Sequence, residues 1–251
     1  MPCWRKSGLV EVNTLLVLGS KPDPALPPAA SYDAVACANG SGYSAVRYGL
    51  QDPVYTVVTS LIASGIESGK QSLKALEGLN TGTLYFLRRR ERRSTRLGRL
   101  IHNLQNYRKK RFYRIQPFYL KRILRSLHYE YKQFVALRPV QYDSLVEELC
   151  ERDPEILAQL AKKRPSTGLI TLVLGIDQQA YQRFILSGFS FELTHPYARN
   201  PEISERGTEV SEHATTDIMV IRYLSRRLGN IFTTESTVHE RAGVPLLPEI
   251  T

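Results

Sequence analysis

The sequence predicts an α/β fold: a Rossmann-like open parallel sheet with a basic helical insertion or lid. Three observations support this. Over the first 60 residues, short apolar runs alternate with turn-rich connections, as expected of strands covered on both faces. A basic middle segment then shows helical periodicity. Strand and helix signals alternate again toward the C-terminus. The 251 residues suffice for one large α/β domain over 1–251, with the insertion at about 88–163.

The elements follow in order. "TLLVLGS" (Thr14–Ser20), "DAVACAN" (Asp33–Asn39) and "VYTVVTS" (Val54–Ser60) are rich in β-branched or small apolar residues and read as strands. "KPDPALPP" between the first two is a proline-rich loop that no helix interior accommodates. "GTLYFLR" is a candidate fourth strand. In the basic segment, Leu97, Leu100, Ile101 and Leu104 fall at helical spacing, as do Leu120, Ile123, Leu124 and Leu127, and Pro117 divides the two stripes. "YDSLVEELCERDPEILAQLAKK" continues as helix, restarting at Asp153-Pro154, so the whole insertion is expected to be helical. "GLITLVLGI" reads as a buried helix and "QRFILSGFSF" as a buried strand. "TTDIMVIRYLSRRLGN" is an amphipathic helix with arginines in its last turn and a Gly229-Asn230 stop. "NIFTTES" closes as a strand.

Composition narrows the classes. Hydrophobic residues make up 42% and charged residues 23%, an ordinary globular balance rather than a disordered one. Cys3, Cys37 and Cys150 are odd in number and far apart, which excludes a disulfide framework and points to a reducing compartment. No apolar stretch approaches the ~18 residues of a spanning helix, and Glu11 and Asn13 interrupt any signal-peptide core. The expected location is cytoplasmic. The net charge of +10 is uneven: Arg88–Arg125 alone carries +14, leaving the remainder at −4.

In an open α/β sheet, ligands bind beyond the carboxyl ends of the strands. The residues there are Gly19-Ser20-Lys21-Pro22, Asn39-Gly40-Ser41-Gly42, Thr59-Ser60 and Ser187-Gly188-Phe189, small groups that let a ligand approach the backbone. Both the dinucleotide fingerprint and the P-loop pattern are absent. In "RPSTG", Ser166 or Thr167 can cap the helix beginning near Gly168. Its unpaired N–H groups form either an ordinary capped start beside a solvated Arg164 or an anion site. His213 in "SEHATTD" precedes a helix and titrates in a useful range, with Asp217 either orienting it or sitting favourably in the first turn. His195 and His239 are weaker rivals. No Asp-x-Asp and no ligand-spaced His/Cys/carboxylate cluster occurs, so no metal is expected.

In this order the loops resemble the bacterial sialyltransferases of glycosyltransferase family 42. "VLGSKPDPAL" is similar to that family's strand and Gly-Asn-Gly-Pro-Ser turn, keeping Gly19 and Pro22 but departing at Ser20, Lys21 and Asp23. Asn39 matches a donor-contacting asparagine after the second strand. Arg164, Thr167 and Gly168 match an Arg-x-Thr-Ser-Gly helix start. Ser187-Gly188 matches a Ser-Gly after the late strand, and Phe191 the aromatic residue beyond it. His213 with Thr216-Asp217 resembles the family's His…Thr-Asp, one residue shorter in spacing. The family's tyrosine after the late strand is replaced by Glu192, leaving Tyr197 as the candidate phosphate-binding tyrosine. The resemblance covers the first 60 residues and about 164–236, and not the basic middle.

The resemblance implies a sialyltransferase-type variant of the GT-A fold. It also implies transfer of a keto-acid sugar (sialic acid or Kdo) from its CMP-activated donor to a glycan or glycolipid hydroxyl, with no metal and no other cofactor. The expected acceptor is a cell-surface lipopolysaccharide, lipooligosaccharide or capsule. Ser166–Gly168 would hold the phosphate or donor carboxylate, with Arg164 adding charge outside. Gly19, Ser20 and Asn39 would hold the cytidine side, with Ser187, Gly188 and Tyr197 as further donor contacts. His213 would be the general base for an inverting transfer; in a retaining enzyme it would assist the leaving phosphate instead. The Arg88–Arg125 segment suits an anionic membrane surface, placing the enzyme peripherally on the inner face of the cytoplasmic membrane. The same segment equally suits a solvated face on helices whose apolar stripes pack on the sheet. The alternative is an RNA-binding protein, or an RNA-modifying enzyme with a Rossmann-like core, because Tyr107, Phe112, Tyr113, Phe118 and Tyr119 interleave with the basic residues.

Overall fold

The computed structural model describes residues 13–63, 67–88, 116–195 and 209–248. Seven strands form one parallel sheet: β1 (Thr14–Leu18), β2 (Ala34–Ala38), β3 (Tyr55–Thr59), β4 (Asn80–Leu87), β5 (Glu130–Leu137), β6 (Arg183–Ser187) and β7 (Ile231–Thr233). Their order is β5-β4-β3-β2-β1-β6-β7, so the direction of winding reverses between β1 and β6. Ligands bind at such a switch point in open α/β sheets.

Helices cover both faces. On one side lie α1 (Gly42–Arg47), α2 (Glu67–Lys74) and α3 (Pro117–Ser126). On the other lie α4 (Pro139–Leu149), α5 (Pro154–Lys162), α6 (Thr167–Asp177), α7 (Ala214–Leu228) and α8 (Ser236–Ala242). The strands explain the layering. Every residue of β1 and β2 is buried; Leu15 and Val17 face α6, whereas Leu16 and Leu18 face the α1 side. A central strand must be apolar on both faces, and these two are.

α6 is the inner helix, with eight of its eleven residues buried. That suits "TGLITLVLGID", which has no polar stripe to turn outward. It lies close on the sheet: a Cβ on Gly175 would come within 2.6 Å of Leu15 Cδ2 and 2.8 Å of the Tyr55 hydroxyl. That hydroxyl donates to the Thr171 carbonyl at 2.7 Å, satisfying a polar atom in the core. α7 ends at Gly229 (φ 69°), a left-handed position that glycine adopts without strain.

The insertion is corrected in one respect. Residues 130–137 were expected to be helical but form β5, paired in register with β4. "EYKQFVAL" carries no continuous apolar run because β5 is an edge strand, half-exposed along its length, with Lys132 on it. α3, α4 and α5 are helical as expected, with Asp153 capping α5 by accepting from the N–H groups of Glu155 and Ile156. In α3 the apolar stripe is spent on the sheet: Leu120 and Leu124 are fully buried with Leu84 and Phe86. Lys121, Arg122, Arg125 and Phe118 remain on its exposed side. The stripe Leu97–Leu104 and the rest of the basic run over 89–115 lie outside the described residues, as do Cys3 and Tyr197. Among the described residues, no helix is long and apolar enough to cross a membrane.

Candidate functional site

A cavity of about 260 Å³ opens at the carboxyl ends of the central strands. Its inner wall comes from Gly19 and Ser20 after β1, Asn39 and Gly40 after β2, and Thr59 at the end of β3. Ser166, Thr167 and Gly168 supply the start of α6, and His213 and Asp217 the start of α7. Phe189 to His195 complete the far side. Seven residues predicted from sequence (Gly19, Ser20, Asn39, Ser166, Thr167, Gly168 and His213) thus share one cavity.

The loops converge for steric reasons. Gly19 and Gly188 meet backbone to backbone: a Cβ on Gly19 would lie 2.3 Å from the Gly188 carbonyl oxygen. The Gly19 N–H donates to the Ser187 carbonyl at 2.8 Å, and the Lys21 N–H to Gly188 at 3.0 Å. Asn39 adopts a left-handed conformation (φ 51°) that asparagine tolerates, and its N–H reaches the Val57 carbonyl across the strand ends. Ser41 bridges β1 and β2, its hydroxyl donating to the Leu18 carbonyl and accepting from the Ala38 N–H.

Ser187 and Gly188, expected from sequence as donor contacts, do not line the cavity. The Ser187 hydroxyl donates to the Ala25 carbonyl at 2.8 Å, and the Gly188 N–H donates to Glu235 Oε1 at 2.8 Å. They form the floor that sets the β1 and β6 loops. Glu235, which the sequence reading missed, organises that floor. Its buried carboxylate also accepts from the Ala25 N–H at 2.9 Å and pairs with Lys21 at 2.5 Å. Lys21 thus anchors its loop through Glu235.

Ser166 caps α6, its hydroxyl accepting from the Leu169 N–H at 3.2 Å. The N–H groups of Thr167 and Gly168, in the first turn, have no intrahelical acceptor and are the donors an anion would meet. Gly168 admits Phe189: a Cβ there would lie 2.9 Å from the ring.

His213 is the N-cap of α7. Its Nδ1 lies 2.8 Å from the Arg164 carbonyl oxygen, which can only accept, so Nδ1 carries the proton and the neutral ring has its lone pair on Nε2. Nε2 is 3.5 Å from Glu212 Oε1, whose other oxygen is ion-paired with Lys163. Arg164 therefore acts through its main chain, and its side chain does not line the cavity.

Asp217 does not orient His213 through its side chain. Its carboxylate accepts from the Ser166 N–H at 2.9 Å, and its own N–H donates to the His213 carbonyl at 2.9 Å. Burial pushes this carboxyl up to about 7, against the hydrogen bonds from Ser166 that lower it. Thr216 continues the connection: its hydroxyl donates to the Lys163 carbonyl and accepts from Gln159. Of the rival histidines, His195 lines the cavity and is buried, whereas His239 bonds the Val244 carbonyl beyond α8 and does not line it. Glu192, Thr194, Ser211 and Glu212 also face the cavity, as do Gly69 and Ser72 of α2. Among the described residues, no group of three or more His, Cys, Asp or Glu could hold a metal.

No protein-family model matches the sequence, and neither does any curated protein. Solved structures do. The monofunctional α-2,3-sialyltransferase Cst-I from Campylobacter jejuni aligns over 96% of this chain and 83% of its own, with a TM-score of 0.52 and 14% identity. A variant of the sialyltransferase Cst-II in complex with CMP aligns over 94% and 86%, with a TM-score of 0.52 and 11% identity. The chain shares the fold of these sialyltransferases. The seven-stranded parallel sheet with helices on both faces is thus a sialyltransferase-type α/β architecture.

Proposed function

We propose that this protein is a glycosyltransferase that moves a keto-acid sugar from its CMP-activated donor to a glycan hydroxyl, without a metal. The observation that carries this is one cavity at the strand-order reversal containing both an anion-ready helix start, Ser166–Gly168, and a histidine with its lone pair on Nε2. The fold neighbours, sialyltransferases, one with CMP bound, favour sialic acid over Kdo as the sugar.

In this reading Gly19, Ser20 and Asn39 hold the cytidine side, and the N–H groups of Thr167 and Gly168 face the donor phosphate. An acceptor hydroxyl gives its proton to His213 Nε2, and its oxygen bonds to the anomeric carbon. The bond from that carbon to the phosphate oxygen breaks, and CMP leaves with the electron pair. The helix start stabilises the charge that develops on the departing phosphate. His213 supplies general-base assistance of about 10²–10⁴ in rate. The acceptor would be a surface glycolipid, with Lys121, Arg122, Arg125 and Phe118 on the exposed side of α3 directed to an anionic bilayer.

CMP should raise the thermal midpoint at millimolar concentration or below, and CMP-sialic acid should be turned over with a glycan acceptor. His213→Ala should lose about 10²–10⁴ of kcat while retaining CMP binding. No midpoint shift with CMP, together with tight and salt-sensitive RNA binding, would replace this reading with the nucleic-acid one.

A further inference from the structure

We infer that Asp217 is a positioning residue that couples binding of the donor phosphate at the α6 start to uptake of a proton. Above neutral pH its carboxyl is charged in the empty site and becomes neutral when the phosphate is bound. This rests on the donor-site reading above and adds to it a protonation state and a second role for α7.

The geometry is that of two helix starts tied together. The linker 163–166 between α5 and α6 is held to α7 at three successive points. The Thr216 hydroxyl bonds the Lys163 carbonyl, His213 Nδ1 bonds the Arg164 carbonyl, and Asp217 accepts from the Ser166 N–H. The next two N–H groups along the chain, Thr167 and Gly168, are those offered to the phosphate. A bound phosphate therefore sits within one helical turn of a carboxylate that is itself buried. Two like charges so placed do not both persist, and the carboxyl is the group that can take up a proton.

The surroundings of Asp217 leave it able to do so. At the mouth of its own helix stand His213 and Glu212, the latter engaged with Lys163 of the linker. Arg164 follows in the linker. α5 meets α7 here through Gln159, with Lys162 at its end and Glu155 at its start. β7 carries no ionisable side chain; α8 carries His239, Glu240 and Arg241, of which Arg241 lies over the Phe191 ring. Glu192 and His195 line the cavity from the loop after β6. Burial dominates in setting where this carboxyl titrates, opposed by the Ser166 bonds, and a group held at about 7 is the one that a nearby anion readily moves.

The test is titration calorimetry with cytidine 5′-methyl phosphate, a diester whose charge does not change near neutrality, in two buffers of different ionisation heat. The wild type should take up a proton on binding at pH 8, and its Kd should rise about tenfold from pH 6 to pH 8.5. Asp217→Asn keeps an acceptor for the Ser166 N–H. It should bind without that uptake, with Kd constant to about twofold once any slope common to both proteins is removed. Apo stability gives a second readout. A carboxyl raised in the folded state loses stability as pH climbs from its unfolded value toward about 7. The thermal midpoint of the Asn variant should therefore pull ahead of the wild type between pH 4 and 7 and hold that lead above. Equal proton uptake in both proteins, or binding to the wild type with none, overturns this inference and leaves the donor site standing. No binding of either the diester or CMP overturns the donor site and this inference together.

Discussion

Replacing Glu235 is the sharpest test of how the cavity floor is held. The carboxylate is 2% exposed and meets three donors: Lys21 Nζ, Ala25 N–H and Gly188 N–H. They are not equivalent. Lys21 is about one-third exposed and Ala25 is exposed, so both regain water when the carboxylate goes. The Gly188 N–H is buried and does not. Glu235→Ala thus leaves one orphaned donor, costing about 1–3 kcal/mol, and removes buried side-chain volume worth about 1 kcal/mol more. The expected loss is about 2–4 kcal/mol, read as the shift in a urea unfolding curve, with CMP affinity falling because the β1 and β6 loops separate. Glu235→Gln keeps an oxygen for the two N–H groups and loses only a partly solvated ion pair, for a loss of about 1 kcal/mol or less. A glutamine variant as damaged as the alanine one would refute this reasoning, since charge rather than acceptor geometry would then hold the floor. An alanine variant within 0.5 kcal/mol of wild type would refute it from the other side.

Two further substitutions separate backbone from side-chain roles. Gly19→Ala drives a Cβ to within 2.3 Å of the Gly188 carbonyl oxygen, a contact relieved only by moving backbone. Unfolding stability should drop by about 1–3 kcal/mol, with CMP affinity weakened at least tenfold by calorimetry. Arg164→Ala leaves the carbonyl that holds His213 in place. Its kcat should stay within about tenfold of wild type while His213→Ala loses far more, and stability should change by no more than about 0.5 kcal/mol.

The sheet's centre was legible because β1, β2, β3 and β6 are buried on both faces and so must be written in apolar residues. α6 was legible for the same reason, and α7 through Gly229 and its terminal arginines. β5 was not, because an edge strand makes half its contacts with water and "EYKQFVAL" need not alternate strictly. Within the site, Gly19, Asn39 and Ser166–Gly168 were found because strand ends and helix starts impose recognisable residue types. Glu235 escaped because nothing local marks it: its donors are 210, 214 and 47 residues away. Arg164 was singled out for its side chain, but the structure uses its carbonyl, which any residue at that position would supply. Asp217 was noticed beside His213 on its own helix, yet its partner is Ser166, 51 residues upstream.

That partnership accounts for a feature that otherwise looks unfavourable, a buried carboxylate in a cavity read as an anion site. Two helix starts, those of α6 and α7, meet at the same cavity. The Thr167 and Gly168 N–H groups of α6 have no intrahelical acceptor, whereas the His213 and Ala214 N–H groups at the start of α7 are taken by Ser211. Asp217, in the first turn of α7 and bonded to the N-cap of α6, lies where one negative charge serves both helix starts. Its burial disfavours that charge, so the carboxyl sits close to the balance point rather than firmly ionised. In the proposed donor site, a phosphate at Thr167 and Gly168 would supply the negative charge instead, and the carboxyl would remain as a neutral acceptor for the Ser166 N–H. The linker would then stay attached to α7 in both states, and His213, held by the carbonyl two residues before Ser166, would keep its lone pair on Nε2 throughout.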